Sequence, residues 1–353
     1  MTPPLAPKSS QPLDINRYKT TGFALLFIAL SVLVPVTIQQ QLDGQFNLLW
    51  RALFTPQFIL SALALLLVYY LSDGLRLWFT LRALGQQQPL TSIVPLVFIN
   101  VLFSNITPMA TGGGVVQIWY LHRRGAPLGV ATAATTLRTL LASVMIFLPA
   151  PVLLFSIDRL VDSPLATQWG GWLALFAALY VAFFMLLLWR LRWFIAAVTT
   201  GLAAMNRLHL IGKSRQRRWR SRLRREMIRF GYSFRAFFQG ARLDSFLAIV
   251  STLVFLVSMF SFPALLLWGL GYAVDYPLVL GLMLVNTFVM YFAPTPGAAG
   301  IAEGVFAMLF TSQLAIGDLL LLVLGWRFLT IHLGMLIGVP VALHALGRKP
   351  AHG

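Results

Sequence analysis

Two arginines, a glutamate and a glutamine are the residues of this chain best placed to do chemistry: Arg138, Arg327, Glu303 and Gln117. Each stands in or beside sequence that is otherwise apolar. A guanidinium at membrane depth costs roughly 2.5 to 3.5 kcal/mol on insertion scales, so it has to face protein, water or an anion. Its planar, always protonated fork suits phosphate, to which it gives paired charge-assisted bonds. Gln117 and Glu303 close two stretches, Asn105 to Gln117 (NITPMATGGGVVQ) and Tyr291 to Glu303 (YFAPTPGAAGIAE), that superimpose without a gap at a constant offset of 186 residues. In that pairing Pro108 falls on Pro294, Thr111 on Gly297, Gly114 on Gly300 and Gln117 on Glu303, and a hydrophobic segment carrying Arg138 or Arg327 follows each stretch. Glu303 is the candidate to carry a coupling proton or to form a gating ion pair with Arg327 or Arg138.

Pro and Gly break the helix inside both stretches. Where the backbone restarts, after Gly113 and after Gly300, the first turn is expected to present unpaired amides and a partial positive charge, which favour an anion. Gly112, Gly113, Gly114, Gly297 and Gly300 are therefore candidate phosphate contacts, with Gln117 and Thr295 beside them. Trp119, Tyr120, Tyr291 and Phe292 flank the breaks and read as packing.

The elements that must hold these residues are membrane helices. Hydrophobic residues make up 58% of the chain and charged ones 10%, and several apolar runs can cross a bilayer core of roughly 30 Å. With no cysteine, and with His122, His209, His332, His344 and His352 scattered, no disulfide, metal or other cofactor is expected. Spanning helices are predicted near 20–40, 56–79, 126–153, 169–189, 245–268 and 317–345. Segments 90–122 and 276–312, each too short on either side of its break to cross comfortably, are predicted as re-entrant hairpins. Asp73, Arg76 and Trp78 fall near the cytoplasmic end of their helix and read as interfacial.

The net charge of +17 concentrates in one block: 14 of the 27 basic residues lie between Arg190 and Arg242. Beside membrane spans such a block marks the cytoplasmic side, so no nucleic-acid partner is expected. A hairpin at 90–122, entering and leaving on one side, keeps this block inside along with both termini. The second hairpin then enters from outside, and the chain is an inverted repeat of two units, 56–153 and 245–345. Around them the domain reading sets a cytoplasmic segment over 1–19, a transmembrane unit over 20–345 that includes a basic linker over 190–243, and a cytoplasmic tail over 346–353. Within the linker Trp219, Leu223, Met227, Phe230, Phe234 and Phe237 recur at helical spacing, which predicts an amphipathic helix lying on the inner leaflet. Gly212, Lys213 and Ser214 imitate the end of a phosphate-binding loop, but Arg207 stands where its first glycine belongs, so no nucleotide-driven pump is expected.

The run PTPGAAGIAE from Pro294 to Glu303 resembles the lysylphosphatidylglycerol synthase transmembrane, or flippase-like, family. So do TPMATGGG from Thr107 to Gly114, followed by Leu121, Arg123, Arg124 and Gly125, and the late GWR at Arg327. The resemblance covers nearly the whole chain. The family usually shows two adjacent glycines where this chain has Gly297 then Ala298, and some members carry an acid near Gln117. It implies a bacterial inner-membrane protein that moves a lipid headgroup between leaflets, aminoacylated phospholipids or polyprenyl-linked lipids in different members. Full-length synthases add a soluble domain that transfers an amino acid from tRNA; about eight residues follow the last predicted helix here, so a stand-alone member is expected.

The expectation is an all-α polytopic membrane protein, six spans plus two oppositely oriented hairpins, that translocates an anionic phosphate-containing lipid and has no catalytic chemistry of its own. Arg138 and Arg327 would compensate the phosphate charge and Glu303 would gate or couple. A homo-oligomer stays open. The alternative is a secondary transporter of a small soluble anion, for which the same helix-terminus logic holds. A lipid-modifying enzyme would have to draw on Glu303, Thr295 and His332.

Overall fold

A computed structural model describes residues 55–157, 167, 170–189, 225, 228–311 and 314–347, and all the regular elements in it are helices. The first repeat holds α1 (Pro56–Ala83), α2 (Leu90–Asn105), α3 (Thr111–Arg123), α4 (Leu128–Phe147) and α5 (Pro149–Ser156). α6 (Gly170–Trp189) and a helix over 228–239, α7, lie between the repeats. The second repeat holds α8 (Arg242–Gly269), α9 (Tyr276–Met290), α10 (Ile301–Phe310), α11 (Ile316–Arg327), a π-helical turn (Phe328–His332) and α12 (Leu333–Gly347).

Four stretches are long and apolar enough to cross a membrane: Pro56–Ala83, Leu128–Ser156, Arg242–Gly269 and Ile316–Ala345. These are four of the six expected spans. Of the other two, 169–189 is the helix α6, and 20–40 lies outside the described residues. At each of the two expected hairpin positions a pair of helical arms flanks a break, α2 with α3 and α9 with α10.

Local chemistry sets the ends. Thr55 accepts from the Phe58 amide at 3.3 Å and Pro56 opens α1, where a missing N–H leaves nothing unpaired. Asp275 does the same for α9, accepting from Leu278 N at 3.2 Å. Outward faces stay apolar, as lipid requires: Leu60, Leu63, Leu67 and Leu71 form an exposed stripe along α1. Inward faces are small. Gly129, Ala131, Ala133, Ala134 and Ala142 are buried on α4, which lets helices approach closely where apolar burial gives little drive because the lipid is equally apolar.

The packing follows the repeat. α1 and α8, the first helices of the two units, form the most extensive pair. Each first hairpin arm then packs on the closing helices of the other unit, α2 on α12 and α9 on α4 and α5. The two units thus share the main core, while a second cluster is built from the first unit with Ala342 of α12 packed into it. Phe147 shows the result, with the rings of Tyr180, Phe288 and Tyr291 centred 4.5, 5.0 and 5.1 Å away, from α6, α9 and the second break.

Two expectations are corrected here. The first hairpin restarts as a helix at Thr111, so Gly112, Gly113 and Gly114 lie inside α3 and its arm is 13 residues, about 20 Å at 1.5 Å per residue. The apolar stripe of the linker does not all face a leaflet: Phe234 and Phe237 are buried with Phe230 against Ala83, Leu137, Leu140 and Ala248, and Ser245 donates to the Phe237 carbonyl at 2.5 Å. The stripe positions Trp219, Leu223 and Met227 lie outside the described residues.

Candidate functional site

Asp73 on α1 is the hub of a buried charge cluster. Its Oδ1 accepts from Arg138 Nη2 of α4 at 2.5 Å and from Arg76 Nε at 2.8 Å, with Arg76 Nη2 at 2.6 Å. Exposure of the three residues is 4 to 7%. Two guanidiniums therefore meet one carboxylate out of water, leaving a formal charge of +1. Desolvating such a group costs several kcal/mol per ion, recovered only with close geometry. Asp73 and Arg76, read from the sequence as interfacial, are buried within the protein in this cluster, on an α1 that runs on to Ala83, four residues past the expected end. Arg138 has an acid partner after all, on a helix the sequence reading did not connect to it.

Arg327, at the end of α11, answers Arg138 in the second repeat. Its Nε lies 2.7 Å from Glu303 Oε1, a close ion pair without hydrogen-bond alignment, and its Nη1 and Nη2 donate to the carbonyls of Gly297 and Ala298 at 3.1 and 3.5 Å. Glu303 pairs with Arg327, then, and its second oxygen accepts from Gly300 N at 2.7 Å. The start of α10, expected to offer a free amide to phosphate, holds this carboxylate. Thr295 donates to the Ala299 carbonyl at 2.9 Å, folding the break on itself. Gly297 and Gly300 have φ of 59° and 84°, left-handed values glycine adopts freely, while Ala298 is held at 56° and so carries strain.

Gly112 and Gly113 serve the hairpin's own packing. The Gly112 amide donates to Thr107 Oγ1 at 2.8 Å, so it too is not free. A Cβ on Gly112 would stand 2.6 Å from Thr107 Cγ2, and one on Gly113 2.0 Å from Ser104 Oγ and 2.5 Å from Asn100 Oδ1. Gly114 faces Thr135 at an ordinary 3.6 Å. Gln117, the counterpart of Glu303, is 1% exposed, and neither its amide nitrogen nor its oxygen has a hydrogen-bond partner among the described residues.

The two breaks meet. Pro108 and Pro296 form an antiparallel bridge; proline has no N–H, so the pairing runs through flanking groups. The offset of 186 extends upstream and marks an axis: Tyr69 and Phe255 occupy equivalent positions, and their rings stack at 5.2 Å with 19° between planes. Ser72 and Ser258, equivalent again, donate to the carbonyls of Tyr69 and Phe255 in turn. Against that symmetry the acids have diverged, since Asp73 corresponds to Met259 and Glu303 to Gln117.

A cavity of about 170 Å³ opens on this axis. Its polar lining is Tyr69, Asn100, Ser104, Asn105, Thr287 and Thr330; Met259, Met283, Met290 and Trp326 supply apolar wall. Asn286, equivalent to Asn100 and next to Thr287, is fully buried, and its amide makes no hydrogen bond among the described residues. The sequence reading missed Tyr69, Asn100 and Asn286. Running the same offset a few residues further back would have paired the two asparagines.

Over residues 22–338 the chain matches the family described as the lysylphosphatidylglycerol synthase TM region. It belongs to that family. A UPF0104 membrane protein of Archaeoglobus fulgidus is 22% identical over 317 residues, which cover 89% of this chain and 94% of that protein. This member of the lysylphosphatidylglycerol synthase transmembrane family is accordingly a multi-pass, all-α membrane protein. Its polar groups converge on one central seam: a +1 cluster, a neutral Arg327–Glu303 pair at the second break, and a hydrogen-bonding cavity between the first arms.

Proposed function

We propose that this chain is a lipid translocator that moves an anionic, phosphate-containing headgroup between the leaflets of the cytoplasmic membrane. The observation that carries the reading is the cluster of Arg76, Arg138 and Asp73, whose buried excess positive charge calls for a ligand of one negative charge. The guanidiniums hold the phosphate; the helix starts at Gly112 and Gly300 are occupied by the chain itself and shape the breaks instead. The Glu303–Arg327 pair tethers the second hairpin and opens as the headgroup passes. Acyl chains remain in lipid while the headgroup crosses the seam, and no bond is made or broken. In this reading the hairpins enter from opposite faces, with both termini cytoplasmic.

The test is leaflet exchange in proteoliposomes, using labelled anionic, zwitterionic and polyprenyl-phosphate lipids with an impermeant quencher. The wild type is expected to exchange anionic lipids selectively, and Arg138→Ala and Arg327→Ala to slow exchange at least about tenfold. Variants that keep the wild-type thermal transition and exchange at its rate would remove the phosphate role. No exchange of any lipid, with uptake of a soluble phosphate instead, would make the protein a small-anion transporter.

A further inference from the structure

We infer that the Tyr291 hydroxyl, carried by the second break, is a further contact of the phosphate held by the arginine cluster of the first repeat. The inference rests on the translocator reading above and deepens it. Aromatic packing fixes the ring: Phe147 meets it edge-on, centroids 5.1 Å apart at 78°, and stacks on Tyr180 of α6 at 4.5 Å with 9° between planes. The ring packs, as the sequence implies, yet Tyr291 stays 37% exposed.

A relay of hydroxyls sets the direction of its proton. Tyr180 donates to Ser143 Oγ at 3.1 Å, and Ser143, fully buried on α4, donates in turn to the Tyr291 oxygen at a longer 3.5 Å. Tyr291 therefore accepts within the protein, and its own O–H has no acceptor among the described residues. Each link polarises the next, which makes the last O–H a better donor. The charge cluster is close by. Ser143 stands five residues beyond Arg138 on α4, about 7.5 Å at 1.5 Å per residue, and Tyr291 lies within electrostatic range of the Arg76 guanidinium. Arg138, 4% exposed, gives Nη2 to Asp73 and leaves its Nε–H without an acceptor among the described residues. Two donors are thus left over, a guanidinium N–H from the first repeat and a phenol from the second break. Phosphate oxygens accept from both kinds of group. Because the arginines sit on spans and the phenol on a break, bound phosphate ties the second break to α1 and α4.

The experiment follows binding and movement for the wild type, Tyr291→Phe, Ser143→Ala and Arg138→Ala. Thermal transitions in detergent, measured against short-chain phosphatidylglycerol and against inorganic phosphate, give affinities; acyl-labelled phosphatidylglycerol in proteoliposomes gives exchange. Tyr291→Phe keeps the ring and its packing, so the expected result is a wild-type transition without ligand, affinity at least about tenfold weaker and slower exchange at low lipid fraction. Ser143→Ala removes only the orienting bond and is expected to weaken affinity about two- to threefold. Wild-type affinity in Tyr291→Phe with a loss in Arg138→Ala overturns the inference and leaves the translocator reading standing. So does a weaker affinity accompanied by a lower ligand-free transition, the mark of disturbed packing. A Tyr291-dependent affinity for inorganic phosphate with no lipid exchange keeps the phosphate contact and overturns the lipid. Wild-type affinity in both Tyr291→Phe and Arg138→Ala, or neither binding nor exchange by the wild type, overturns both.

Discussion

Asp73 holds two guanidiniums with one oxygen, and its removal isolates what the charge imbalance does. Asp73→Asn leaves both arginines buried without a counter-charge, and breaking a buried pair in this way costs about 3 to 5 kcal/mol. The thermal transition in detergent is expected to fall accordingly, and the double variant Asp73→Asn, Arg76→Met, which returns the cluster to +1, is expected to recover most of the loss. Equal transitions for the single and double variants would show that the charge sum does not govern the site. Glu303→Gln is expected to be milder, about 1 kcal/mol, because the Glu303 side chain is 25% exposed and Arg327 keeps two backbone carbonyls.

The hairpins are where element-scale packing decides the residue. Gly113→Ala would drive a Cβ into Ser104 and Asn100 of the opposite arm, and overpacking of this kind costs about 1 to 3 kcal/mol. Gly114→Ala meets only Thr135 at ordinary contact and gains helix propensity of about 1 kcal/mol, so it is expected to be neutral or stabilising. Melting both variants checks the account; the same shift in both would sink it. These glycines also show how far the sequence could be read. Pro and Gly within apolar runs located both breaks, because the backbone cannot stay helical there and their composition is local information. The role of Gly112 and Gly113 was not legible, since it depends on which atoms the facing arm presents. Arg327 and Glu303 sit on adjoining elements and their pairing could be weighed from spacing alone; Arg138 and Asp73 are 65 residues apart, and only the packing of α1 on α4 joins them. The stripe ending at Phe237 was visible as a stripe, but periodicity cannot say whether lipid or protein covers it.

At the scale of the whole molecule α7 is a brace across the end of α1, the middle of α4 and the first turns of α8. Phe237→Ala, at a site 1% exposed, is expected to cost about 3 kcal/mol and to be seen as a lower thermal transition with unchanged lipid selectivity. If it altered selectivity instead, α7 would belong to the pathway. The pairing of equivalent elements, α1 with α8 and break with break, makes the seam a shared property of both repeats rather than of either. With two arginines and one aspartate the cluster carries a whole positive charge, which a headgroup phosphate, in the proposed translocation, would bring to zero. Full exchange, lipid for lipid, would then move no charge and ignore the membrane potential, whereas net one-way flux requires the empty site to reorient through the field. Up to one elementary charge moving across 100 mV is worth about 2.3 kcal/mol, so an imposed diffusion potential is expected to change net flux by as much as about fiftyfold and leave exchange untouched.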